Sequence, residues 1–188
     1  MLQQKAEIIR GVRISLPERG TRRHRTLDER ILVRFPGLTR RLSAAWAQLP
    51  RTSRLRRVML VRRLRLGCAA ANRRDFNSLL SAFDPGIELH TREMTPDMDA
   101  VYHGHDGYRR AWRVLLDAFK DVRLDATEVL DLGDRFLVTI EWSGHGAESG
   151  VSVSQPGFQL FTPRRGLVVR EQHFFDRTEA LEAAGLSE

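Results

Sequence analysis

A chain of 188 residues, 41% of them hydrophobic, is long enough to bury the core of one domain and to carry about 40 to 60 further residues as an extension. Its single cysteine, Cys68, excludes an internal disulfide and a cysteine zinc cluster. The charged start MLQQKAEIIRGVRIS, and a longest apolar run in the basic segment of only Val58-Met59-Leu60-Val61, predict neither a secretory signal nor a membrane span, and hence a cytoplasmic setting.

The net charge of +7 is unevenly divided: residues 1–67 hold 18 Lys/Arg against 4 Asp/Glu, residues 68–188 hold 13 against 20. Two outcomes stay open for the basic part, an extension folded against its own acidic domain or a surface for polyanions. Residues 1–25 end in the polar cluster PERGTRRHR without sustained periodicity and read as a mostly disordered basic segment. Thr26-Leu27-Asp28-Glu29 is a capping-box pattern that opens a short helix. Leu38, Leu42, Ala45 and Leu49 recur on one face of a second helix that Pro50 closes. Residues 26–52 thus form a helical basic extension. From Ser53, the spacing of Val61, Leu64, Cys68 and Ala71 predicts a third helix reaching about Asn72.

Phe76, Leu79, Leu80 and Phe83 predict a short helix that Asp84-Pro85-Gly86 terminates, and Ile87 to His90 alternates like a strand. Residues 106–119 are helical, with Tyr108, Trp112, Leu115, Leu116 and Phe119 on an apolar stripe. Four long strands follow: Val122 to Asp131, Arg135 to Ser143, Val151 to Thr162 and Leu167 to Phe175, the first pair joined by the turn Leu132-Gly133-Asp134 and the second by Pro163-Arg164-Arg165-Gly166. Asp176-Arg177-Thr178-Glu179 starts a last helix that Gly185 ends. Helices, a short strand, a helix, an antiparallel meander and a final helix make an α+β pattern, a curved sheet wrapped over helices.

The stretches AANRRDFNSLLSAFDPGIELH, GHDGYRRAW, EVLDLGDRFLV and GLVVREQHFFDRTEALEAAGL, in that order and spacing, resemble the SnoaL-like branch of the nuclear-transport-factor-2-like (NTF2-like) superfamily. The likeness covers about residues 66–186, within a domain read as 53–188. It implies a cone-shaped α+β fold, a homodimer formed through the sheet, and a pocket between helices and concave sheet face that receives a small hydrophobic molecule. The implied lining is Phe83, Tyr102, Tyr108, Trp112, Phe119, Trp142 and Phe158, with Glu141, Gln172 and His173 as polar candidates. Alternation places Trp142 opposite Glu141 and His173 opposite Gln172, but it does not say which face is concave.

In the ketosteroid isomerases of this superfamily the first core strand ends in an Asp general base, and His90 stands at the similar position; a neutral imidazole is a competent base near neutral pH. Glu88 shares its face by the period of two, which suggests an acid–base pair. The oxyanion-hole Tyr and protonated Asp of those isomerases fall at Gly67 and about Gly157, so steroid-type isomerisation is not expected. Two functions therefore stay open: isomerase, cyclase or hydrolase chemistry with His90 as base, or a non-catalytic ligand-binding or dimerisation module.

His103 and His105 in YHGHDGYRRAW have a spacing that suits a metal pair, but a buried site needs further ligands, and His24, His90, His145 and His173 lie in separate elements. No metal and no cofactor are expected. Gly104 is instead read as the turn from strand to helix, with His105 or Asp106 as cap. Cys68, on a buried helix face, should be inert. With only Phe35 and Trp46 as aromatics in the basic segment, no specific nucleic acid is expected, only weak polyanion contact, or anionic membrane-surface contact with Leu55, Val58 and Met59 inserting.

Overall fold

The computed structural model describes residues 11–16, 24–91, 95 and 97–186. Helix α1 (Leu27–Arg34) begins with the capping box read from the sequence: the Thr26 hydroxyl accepts from the Glu29 amide, and Glu29 Oε2 accepts from the Thr26 amide at 2.7 Å. Pro36 sits in the first turn of α2 (Pro36–Ala47), where its missing N–H is no loss. Ser53 caps α3 (Arg54–Asn72) and Asp75 caps α4 (Phe76–Leu80). The two ends of α3 are fixed to the sheet. Asn72 exchanges two hydrogen bonds with the Leu124 backbone (2.9 and 2.8 Å), and Arg56 forms a buried bidentate pair with Asp131 (2.6 and 2.8 Å).

Strands β4 (Phe119–Asp131), β5 (Phe136–Gly146), β6 (Ser152–Arg164) and β7 (Leu167–Phe174) make the expected antiparallel meander. On one side β2 (Phe83–His90) adds to β7 in parallel and β3 (Val101–His103) completes the edge; on the other, β1 (Val12–Ser15) adds to β4. Register shifts between Lys120 and Arg123, Ala126 and Glu128, and Thr162 and Pro163 interrupt the regular ladder, and irregularities of this kind bend and coil strands. The resulting open, curved sheet carries Val138, Ile140 and Trp142 in one buried cluster with Tyr108 and Trp112 of α5 (Gly104–Ala118). Its other face carries Leu137, Leu160 and Phe174, covered by Ala180 and Leu181 of α6 (Arg177–Ala183). Concave and convex faces are thereby assigned. Among the described residues no helix is long and apolar enough to cross a membrane.

Four sequence expectations are corrected here. Val12–Ser15, read as part of a disordered segment, is a strand, and Leu16 beside it is buried in the main core; residues 1–10 and 17–23 lie outside the described residues. Phe83, read as the last residue of α4, starts β2 instead: α4 stops at Leu80, and the Asp84-Pro85-Gly86 irregularity lies within the strand. The apolar stripe of α2 is turned outward at Leu42, which is 57% exposed, whereas Ser43 is buried and Trp46 packs against the core; the side chain of Leu38 lies outside the described residues. No side chain caps α5: Gly104 turns the chain at φ +70°, as expected, but His105 points its Nε2 to the Phe83 carbonyl at 3.2 Å.

The basic extension folds against the acidic part. Arg73 reaches Glu29 of α1 at 2.5 Å, Arg25 pairs with Asp75 at 2.5 and 2.6 Å, and α2 crosses the β6–β7 turn so closely that a Cβ on Gly166 (φ +82°) would stand 2.5 Å from the Ala44 nitrogen. Leu27, Ile31, Phe35, Leu42, Leu55 and Val58 remain on its outer surface.

Candidate functional site

Inside the cone, α3 and α5 stand over the concave sheet face and leave two adjoining chambers of about 140 and 50 Å³. Tyr108, Trp112, Leu124, Ile140 and Gln159 contribute to both. The larger chamber extends under the basic extension, where Glu29, Ser43, Trp46, Arg56 and Arg63 join its wall; the smaller one opens toward Trp142, Phe158 and His173.

One polar cluster stands in this largely apolar interior. Glu171, 1% exposed, points inward from β7 beside Phe161 of β6, and His173 follows two residues later on the same face beside Gln159. Glu171 Oε2 accepts from the Tyr108 hydroxyl at 3.1 Å, and Oε1 lies 2.6 Å from His173 Nε2. The Gln159 amide stands 3.3 Å from the same ring nitrogen. Burial, and next the negative charge of Glu171, push the Tyr108 phenol well above its ordinary range, so it remains a hydrogen-bond donor at every working pH. A carboxylate that receives an imidazole N–H fixes the ring's tautomer and stabilises the imidazolium formed when the ring takes up a proton.

Not all of the residues expected at the site are there. Phe83, Tyr108, Trp112, Trp142, Phe158 and His173 line the chambers. Tyr102 is buried elsewhere, its hydroxyl accepting from the Asp99 amide at 3.0 Å. Phe119 packs edge-on against Trp142, with centroids 4.9 Å apart, and does not reach the lining. Glu141 is exposed on the convex face and accepts from Ser154 at 2.8 Å, and Gln172 lies opposite His90 in the β2–β7 register. His90 and Glu88 are brought together at 3.4 Å, but on the convex face, where Arg170 also binds Glu88 at 2.7 and 2.9 Å. At the inner end of β2 the chamber meets Thr91 instead, whose hydroxyl donates to the Asp99 carbonyl at 2.6 Å. Glu171 was not singled out from the sequence, although its spacing of two from His173 placed both on one strand face. No group of three or more metal-ligating side chains occurs among the described residues. Burial pushes the Cys68 thiol up to about 11, which leaves it unreactive near neutral pH.

A profile of the SnoaL-like domain matches residues 64–171, more than half of the chain. This chain belongs to the SnoaL-like family. Solved structures place the SnoaL-like chain in the NTF2-like fold. TerC co-crystallised with polyporic acid is 21% identical, covering 65% of this chain and 95% of its own, with a TM-score of 0.56. An NTF2-like protein of unknown function from Burkholderia pseudomallei is 23% identical over 64% and 93% of the two chains, with a TM-score of 0.57. A Catenulispora acidiphila protein of ketosteroid isomerase-like fold, in complex with trimethylamine, is 18% identical over 66% and 92%, at 0.52. No curated protein matches significantly. The family match begins at Leu64, so the extension that roofs the larger chamber, with Arg56 and Arg63 of α3, precedes the matched part of this SnoaL-like chain.

Proposed function

We propose that the cone binds a small, largely apolar organic molecule and that Tyr108, Glu171 and His173 move a proton on it. The observation that carries this is a carboxylate held out of water on the wall of an apolar cavity, with a phenol on one oxygen and an imidazole on the other. Held by Glu171 at Nε2, the His173 imidazole acts as the base that takes a proton from a carbon next to a carbonyl. The imidazolium is then stabilised by Glu171, and the same proton is returned at another atom. Abstraction and return of this kind serve isomerase- and cyclase-type reactions, and the organic molecules bound by TerC and by the Catenulispora protein are consistent with occupancy of such a cavity. The second reading is a binding module without turnover, with the cluster serving only to orient its ligand.

Native mass spectrometry of the purified protein identifies a retained ligand, and incubation shows whether it is converted. Glu171→Gln and His173→Ala should then each lower turnover by about 10² to 10⁴ while affinity stays within about tenfold. His90→Ala should change neither. Full turnover by Glu171→Gln refutes the proton-transfer reading, and binding without conversion by the wild type selects the binding module.

A further inference from the structure

The larger chamber has five charged side chains on its wall, and four have partners that account for them. Arg56 is paired with Asp131 at 2.6 and 2.8 Å, Glu29 with Arg73 at 2.5 Å, and Glu171 is held by Tyr108 and His173. Arg63 is the exception. Its guanidinium donates to the Ser43 hydroxyl and lies 5.9 Å from the ring centre of Trp46, and among the described residues no carboxylate comes within ion-pairing distance of it. Burial alone lowers it, to about 10. Arg63 is half-buried; a guanidinium partly withdrawn from water without a counter-charge is unfavourable, and its planar fork of donors matches a carboxylate at two points.

We infer that the larger chamber takes a carboxylate-bearing ring compound, anchored at its anionic end by Arg63 with its ring directed inward toward Tyr108. The inference rests on the reading of the cone as a ligand site and names the class of ligand. Size supports it: a chamber of about 140 Å³ is comparable with the ~150 Å³ apolar cavity known to accept a single benzene ring. Its walls supply Leu60, Leu64, Phe136 and Phe161 for such a ring. Charge sets the direction, because Glu171 on the same wall repels an anion and leaves Arg63 as the end that receives it. Arg63 and Ser43 both precede the family match, Ser43 from the basic extension and Arg63 from α3.

The probes are benzoate and benzamide, a charged and a neutral compound of nearly one shape, titrated calorimetrically and by intrinsic tryptophan fluorescence at low salt. Wild type should bind benzoate at least about tenfold more tightly than benzamide, the scale of a hydrogen-bonded charge pair. Arg63→Met, which keeps an apolar stem, should bind benzamide within about threefold of wild type and lose the preference for the acid. Equal affinities in wild type, or a preference that persists in Arg63→Met, overturn the inference while leaving the cone a ligand site. Binding of neither probe by wild type overturns the proposed ring-compound ligand, and the mass-spectrometric search then decides separately on the cone. The wild-type comparison stands even if the variant fails to fold.

Discussion

Arg56→Ala tests how the basic extension is held to the domain. The pair it breaks is withdrawn from solvent, with side-chain exposures of 6% for Arg56 and 2% for Asp131. Arg56 also donates to the Gly133 carbonyl at 2.8 Å and the Leu49 carbonyl at 3.2 Å, so one side chain joins the α2–α3 link to the β4–β5 turn. Once it is gone, Asp131 keeps the Gly133 amide at 2.9 Å but remains buried without its counter-charge. Loss of one partner of a buried pair costs about 3–5 kcal/mol, and for a chain of this size each kcal/mol moves Tm by about 2–4 °C, so a fall of roughly 6–20 °C is expected by calorimetry, with a matching decrease in urea midpoint. Arg56→Met/Asp131→Leu, which removes both charges and keeps apolar volume, should be more stable than Arg56→Ala. A loss below about 1 kcal/mol in Arg56→Ala, the range of exposed ion pairs, would refute the idea that this contact pins the extension.

Trp112→Ala, which empties a 7% exposed site packed edge-on against Phe76 at 5.6 Å, should cost about 3–5 kcal/mol; an unchanged Tm would rule out its place beneath the sheet. Arg25, the Ser78 hydroxyl and the Ser78 amide together hold the Asp75 carboxyl well below the ordinary carboxylate range, Arg25 contributing most. A depressed carboxyl contributes stability that is present above pH ~4, where the unfolded chain is also ionised, and is lost as pH falls below that value. Asp75→Asn should therefore flatten the acid limb of urea midpoint against pH, and high salt should weaken the wild-type slope because Arg25 is exposed; equal acid slopes in both proteins would contradict this.

Local grammar made much of the fold legible. The Thr26–Glu29 box, the meander and the Asp176 cap all depend on neighbours within a few residues, and each is found where the residues indicated. What could not be read was direction. Alternation separates Trp142 from Glu141 and His173 from Gln172, but the concave side is decided by where α3 and α5 pack, a contact between residues far apart in the chain. His90 therefore fell on the convex face while Glu171, unremarked in the sequence, became the buried centre of the cluster. The α2 stripe misled for a related reason: Leu42 has the right period, yet the face that packs is the one meeting Arg63 and the β6–β7 turn, through Ser43 and Trp46. Val12-Arg13-Ile14-Ser15 is too short to announce a strand without the partner edge that β4 provides.

That edge strand has a consequence for the order in which the molecule is completed. Val12 pairs with Asp131 and Ser15 with Glu128, so β1, the first strand among the described residues, has no β4 partner until more than a hundred further residues have been made. At ~5–20 residues per second, it waits on the order of ten seconds. The sheet can meanwhile grow from β4 through β7, whose joining turns are short, and the closure entropy of bringing β1 to β4 rises only slowly with the length of chain between them. Among the described residues β1 is paired on one side only, and an edge strand of this kind opens at low cost, so exchange of its backbone amides should follow local detachment and not unfolding of the whole.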